Sequence, residues 1–213
     1  DYGIKGFKTR VLNSISLSVY EGEFLSIMGP SGAGKTTLLN LLSTLDKPTK
    51  GEIILDGIDL TKVKNKELSN IRKDKIGFIF QDYSLLDNMT LMDNIALPLA
   101  LGRKRSKEIE EKVIKMAEVF GLKDHLKKYP YELSGGQKQR GAAARALITN
   151  PKVIFADEPT GALDSKSSID LLECLKRVNE ESKATIIMVT HDAFSASYSN
   201  KVYMLSDGEI KCQ

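Results

Sequence analysis

The chain has 213 residues, 41% hydrophobic and 28% charged, within the range of ordinary globular proteins and long enough for one large domain or one domain with an inserted lobe. Its net charge of +3 is too mild and too evenly spread to argue for nucleic acid as a partner. Two cysteines, Cys174 and Cys212, lack metal-ligand spacing and read as reduced thiols of a cytosolic protein; no signal peptide is read and no apolar run approaches the roughly 20 residues that span a bilayer.

In chain order, the first strand runs from Glu23 to Met28. It leads into Gly29-Pro30-Ser31-Gly32-Ala33-Gly34-Lys35-Thr36, which matches G-x-x-x-x-G-K-[ST], and then into a helix from Lys35 to Leu45. That context of strand, glycine loop and helix separates a phosphate-binding loop from a turn that merely caps a helix. Glycines let backbone N–H groups converge on phosphate oxygens with no Cβ in the way, and the helix terminus adds free donors and partial positive charge. Lys35 is expected at the β- and γ-phosphates, and the Thr36 hydroxyl is placed to ligate Mg²⁺.

Further strands are expected at Gly51 to Leu55, Ile76 to Phe80, Lys152 to Ala156, Thr185 to Thr190 and Lys201 to Leu205. Val153-Ile154-Phe155 and Ile186-Ile187-Met188-Val189 are continuously apolar, as in strands covered on both faces of a parallel sheet. Ser106 to Phe120 sets Ile109, Val113, Met116 and Phe120 on one stripe, with Gly121 at the left-handed cap position, and Ser165 to Glu181 is a second amphipathic helix. The stretch from about 82 to 145 is helix-rich and lies between strands. The fold class expected is therefore α/β, a P-loop core with a mostly parallel sheet and an inserted helical lobe, to which the family resemblance carried by the motifs that follow adds an antiparallel β part near the N-terminus. Core segments would be 1–81 and about 146–213, and Ser206-Asp207-Gly208 reads as a tight hairpin turn.

The apolar strand Val153 to Ala156 ends in Asp157-Glu158. Adjacent residues at a strand end point to opposite sides, so the two acids can divide the work. Asp157 is expected to hold the Mg²⁺ shell and Glu158 to act as general base toward the attacking water.

Leu133-Ser134-Gly135-Gly136-Gln137 precedes a basic, alanine-rich helical stretch, Lys138 to Leu147. Here the sequence resembles the ATP-binding-cassette (ABC) ATPase family, whose signature is this pentapeptide, and the resemblance covers essentially the whole chain. It implies that Gln81 senses Mg²⁺ and the attacking water, that Gly161-Ala162-Leu163-Asp164 is the D-loop, and that His191 is the switch histidine at the γ-phosphate. It also implies that Tyr2 stacks on adenine, with Thr37 joining the phosphate contacts. A second anion cradle at Ser134-Gly135-Gly136 makes sense if it serves the nucleotide of another subunit. In this family two copies face head to tail, each ATP lying between one P-loop and the partner's signature, and drive a separate membrane permease from its cytoplasmic face.

Gly22-Glu23-Phe24, Leu45-Asp46-Lys47-Pro48-Thr49, Ile76 to Gln81 and Ala156 to Gly161 are similar to the branch of lipoprotein-releasing and macrolide-export ATPases. Ala162 to Ser167, Asn179-Glu180 and Ala196 to Val202 look closest to bacitracin-type antimicrobial-peptide resistance ATPases, whose members either export or signal. The substrate itself lies with the membrane partner. Two features stay open at this level. Leu85, Leu86, Met89, Leu91 and Met92 form either a docking groove for a permease helix or the lobe's own core. Gly141, inside a helix where glycine costs roughly 1 kcal/mol against alanine, points to close packing.

Overall fold

The computed structural model describes residues 10–101 and 106–212. A six-stranded sheet, ordered β4-β5-β6-β1-β7-β8, organises the molecule. Its strands are β1 (Phe24–Met28), β4 (Ile76–Ile79), β5 (Val153–Asp157), β6 (Ile186–Thr190), β7 (Lys201–Ser206) and β8 (Glu209–Cys212). All neighbours pair parallel except β7 and β8, which form an antiparallel hairpin. The hairpin turn is made by Asp207 and Gly208 at φ of 52° and 75°, the double left-handed geometry that matches strand twist. The small antiparallel part is a separate pair, β2 (Ile54–Leu55) with β3 (Ile58–Asp59).

The continuously apolar strands are covered on both faces. Ile154 and Ala156 of β5, with Ile186 and Met188 of β6, face one core cluster; Val153, Phe155, Ile187 and Val189 face the other. The first cluster joins the sheet to α3 (Leu91–Ala100), α4 (Ser106–Val119), α5 (Gly135–Leu147) and α6 (Ser165–Ser182). The second lies under α1 (Lys35–Leu42) and includes flanking Leu12, Ile15, Leu17 and Val19.

Several boundaries differ from the sequence expectation. Helix α1 stops at Leu42 rather than Leu45, because Thr44 turns left-handed at φ 62°. The strand expected from Gly51 shrinks to Ile54–Leu55, since Gly51 itself sits at φ 96°. Helix α2 (Asn65–Lys75) has no counterpart in the sequence reading: it is strongly polar and buries only Leu68 and Ile71. A short α7 (Ala193–Ala196) is likewise new, held by Asp192, whose carboxylate accepts from the N–H groups of Phe194 and Ser195. Gly121 does take the left-handed cap after α4, at φ 64°.

Among the apolar residues after Gln81, Leu91 is fully buried and Met92 packs against the core, while Leu86 stays exposed. The core shared by the sheet and α3 to α6 therefore accounts for the inner part of that stretch. Gly141 has a direct cause as well. A Cβ there would lie 2.5 Å from Leu91 Cδ1, so the glycine leaves room for the Leu91 side chain where α3 packs on α5.

Candidate functional site

The parallel order brings the C-terminal ends of β1, β5 and β6 side by side, where ligands of open α/β sheets bind. The glycine loop leaves β1 at Gly29, which only a residue without a side chain could occupy: a Cβ would sit 2.2 Å from the Leu205 carbonyl oxygen. Gly34, at φ 96°, is the N-cap of α1 and supplies no side-chain cap, so the first N–H groups of the helix are left for another acceptor. Lys35 is buried at 8% exposure and folds back over its own loop, donating to the carbonyls of Gly29 at 2.8 Å and Pro30 at 3.1 Å. Its ammonium also lies 3.8 Å from Glu158 Oε1.

Thr36 and Asp157 meet across the loop, the hydroxyl donating to Asp157 Oδ1 at 3.3 Å. Burial pushes the Asp157 carboxyl above its ordinary range; the Thr36 hydrogen bond opposes this, the Glu158 charge adds to it, and Lys35 opposes it. Among the described residues no group of three or more His, Cys, Asp or Glu is arranged to hold a metal alone. The donor set instead suits Mg²⁺, which keeps several waters and takes one or two carboxylates alongside substrate phosphates.

Glu158 follows β5 at φ 44°, a left-handed conformation that a non-glycine residue keeps only when its surroundings impose it. They do so here. Its N–H donates to the Val189 carbonyl at 3.0 Å, and its own carbonyl accepts from Gly161 at 3.0 Å. The side chain is gripped between Lys35 and His191, whose Nδ1 lies 2.9 Å from Oε1. Gln81 rests on the D-loop turn, where a Cβ at Gly161 would meet its amide nitrogen at 3.0 Å.

The Ser134 turn makes its contacts elsewhere. Ser134 Oγ accepts from the Gln137 N–H at 3.3 Å, and Gln137 Oε1 accepts from the Ser134 N–H at 3.0 Å, a complete capping box at the start of α5. Gln137 Nε2 turns to His125 at 3.0 Å. Gly135 lies against Tyr83 and Leu163, and Gly136 against Ser167 of α6.

Residues 12–161 match the family model described as ABC transporter. The chain is an ABC transporter ATPase subunit. It is 52% identical over 212 residues to the bacitracin export ATP-binding protein BceA of Halalkalibacterium halodurans, spanning 100% of this chain and 84% of that one. It is 47% identical over 201 residues to the ABC transporter ATP-binding protein YxdL of Bacillus subtilis, covering 94% and 78%. A dimeric post-hydrolysis structure of the ATP-binding cassette MJ0796, bound to ADP and Pi, matches with a TM-score of 0.91 at 40% identity, covering 100% of this chain and 94% of that one.

Within this ABC ATPase subunit, the expected residues divide into two groups. Gly29 to Thr36, Asp157, Glu158 and His191 come together around the end of the sheet. Thr37 follows in the first turn of α1, whereas Ser134 to Gln137 lie apart from this group, in the capped start of α5. Tyr2 lies outside the described residues. No described helix is long and apolar enough to cross a membrane. Sequence reasoning missed the polar residues of α5 that reach the Gln81 and Glu158 loops, because single glutamines and arginines in an amphipathic helix give no local signal.

Proposed function

We propose that two copies of this subunit sandwich two ATP molecules and drive a separate membrane permease from the cytoplasmic face, in a system for resistance to peptide antibiotics. The P-loop binds the triphosphate through the open N–H groups of α1, and Lys35 exchanges its carbonyl partners for phosphate oxygens. Thr36 and Asp157, with Gln81 swung in from Gly161, would hold Mg²⁺, which supplies charge neutralisation at the β- and γ-phosphates. Glu158 accepts the proton of the attacking water, and His191 holds the Glu158 carboxylate and reaches toward the γ-phosphate. The Ser134 turn of the second copy closes the pocket, and the lobe of about 82–145 carries that turn. Fold likeness to a dimeric ADP-bound cassette and identity to a bacitracin exporter subunit support this reading.

The observation that carries it is Glu158, strained at φ 44° and held between Lys35 and His191 at the mouth of an uncapped phosphate loop. Glu158→Gln removes the base while keeping the shape. With MgATP, that variant should run as a stable dimer in size-exclusion chromatography and hydrolyse ATP at least about 100-fold more slowly than the parent. A variant that binds ATP yet stays monomeric overturns the composite site. The same substitution in the source organism should lower the inhibitory concentration of bacitracin; an unchanged value removes the peptide-resistance part.

A further inference from the structure

The core-facing side of α5 carries polar side chains that the reaction scheme does not use. Gln139 is fully buried, at 0% exposure, and its amide nitrogen donates to the Phe80 carbonyl at 2.9 Å and to the Pro159 carbonyl at 2.8 Å. These carbonyls belong to the residue just before Gln81 and the residue just after Glu158. An amide –NH₂ has two hydrogens, and both are spent on the main chain of the two loops. The orientation is fixed, because a flipped amide would set its oxygen against two carbonyl oxygens. Its own Oε1 is left buried with no partner. An orphaned buried acceptor needs an explanation. Here it is the by-product of aiming both hydrogens at the loops.

Further along α5, Arg145 donates to the carbonyls of Ser84 at 2.6 Å and Tyr83 at 3.1 Å. Tyr83 and Ser84 are both left-handed, at φ 65° and 47°, so the guanidinium fastens a strained segment of the loop that follows Gln81. The Tyr83 hydroxyl in turn lies against Gly135, 3.0 Å from where a Cβ would stand. Helix α5 therefore grips the Gln81 loop on both sides of the glutamine and the Glu158 loop at one point.

We infer that Gln139 is a positioning residue for hydrolysis. It ties the backbones that carry Gln81 and Glu158 to each other through the helix that bears the Ser134 turn, so the base and the glutamine hold one register around the attacking water. This rests on the roles proposed above for Gln81 and Glu158. A misplacement of about 1 Å at a reacting group can cost about 100-fold, so even a small slackening of this tie is readable as rate.

The test is Gln139→Met in the full chain, which keeps side-chain length and removes both donors. Expected is a kcat at least about tenfold below the parent, with KM and the affinity for a fluorescent ATP analogue within about twofold. The double variant with Glu158→Gln should still dimerise on ATP. A folded variant with kcat within about twofold of the parent overturns the inference. So does a parallel loss of kcat, KM and thermal midpoint, which marks a merely structural role. Should Gln139→Met not fold, Gln139→Asn keeps the amide but is too short to reach both carbonyls, and it carries the same expectation and the same contrary outcomes. Failure of Glu158→Gln alone to dimerise would count against the composite site, whereas a parent-like kcat in Gln139→Met sinks only the present inference.

Discussion

The two glycine-rich helix starts of this chain are finished in opposite ways. At α1 the N-cap is Gly34, left-handed and without a side-chain cap, and the buried Lys35 beside it is satisfied by carbonyls of its own loop. At α5 the N-cap is Ser134, and a reciprocal pair of hydrogen bonds with Gln137 closes the turn on itself. A serine or aspartate in place of Gly34 would consume the N–H groups a phosphate needs and, as aspartate, would repel it. So α1 is a helix start kept open, with a buried cation beside it. At α5 the serine oxygen accepts from its own helix, and its hydroxyl hydrogen remains to be offered outward. One helix start leaves its first N–H groups open beside a buried cation; the other satisfies its own first turn.

Breaking the first side should have the largest effect. Lys35→Ala removes the one buried cation of the loop and leaves the Gly29 and Pro30 carbonyls and the Glu158 carboxylate without it. Hydrogen bonds to a charged group are worth about 1.5–3 kcal/mol each, so ATP affinity should fall at least about 100-fold by calorimetry. An affinity within tenfold of the parent would mean the open helix end binds phosphate unaided. Breaking the second side should look different. Ser134→Ala loses a cap worth about 1 kcal/mol and the outward hydroxyl, while ATP binding by the single chain stays within about twofold. Hydrolysis should drop about tenfold to 100-fold, as expected for losing one hydrogen bond to a charged group worth about 1.5–3 kcal/mol. If binding and hydrolysis fall together, the two cradles are one site, and the contrast between them is lost.

The same contrast explains what the sequence could disclose. The P-loop and Asp157-Glu158 are contiguous stretches at the ends of apolar strands, so spacing and periodicity locate them. The parallel sheet follows from the apolar runs at Val153 and Ile186, which alternate between two cores. The Ser134 turn was readable as a serine-glycine start of a helix and through family resemblance. Contacts between remote segments were not. Nothing near Gly141 says that Leu91 lies 2.5 Å from its missing Cβ, and nothing near Gln139 names Phe80 and Pro159. Helix α2 escaped because two buried residues make too narrow a stripe to show as a period.

The smallest effect expected is on stability, and it sharpens the picture of an open site. Burial, reinforced by the neighbouring Glu158, holds the Asp157 carboxyl above its ordinary value despite Thr36 and Lys35. A raised carboxyl means the folded state binds that proton more tightly than the unfolded chain does. Its favourable contribution is full below the unfolded value of about 3.9 and is lost as pH rises through the folded value. At neutral pH the ionised Asp157 is thus a standing cost of the ligand-free protein. Because the group is partly solvated, that cost is small. Asp157→Asn should therefore raise the unfolding midpoint of the ligand-free chain by about 1–3 °C at pH 7, with the gain shrinking as pH falls toward 4. With MgATP the order should reverse, since only the parent gains the stabilisation that follows from tight binding to the folded state. A variant less stable than the parent without ligand would show that Asp157 serves the fold first, and that the metal-side half of the pocket is not held open at the protein's own expense.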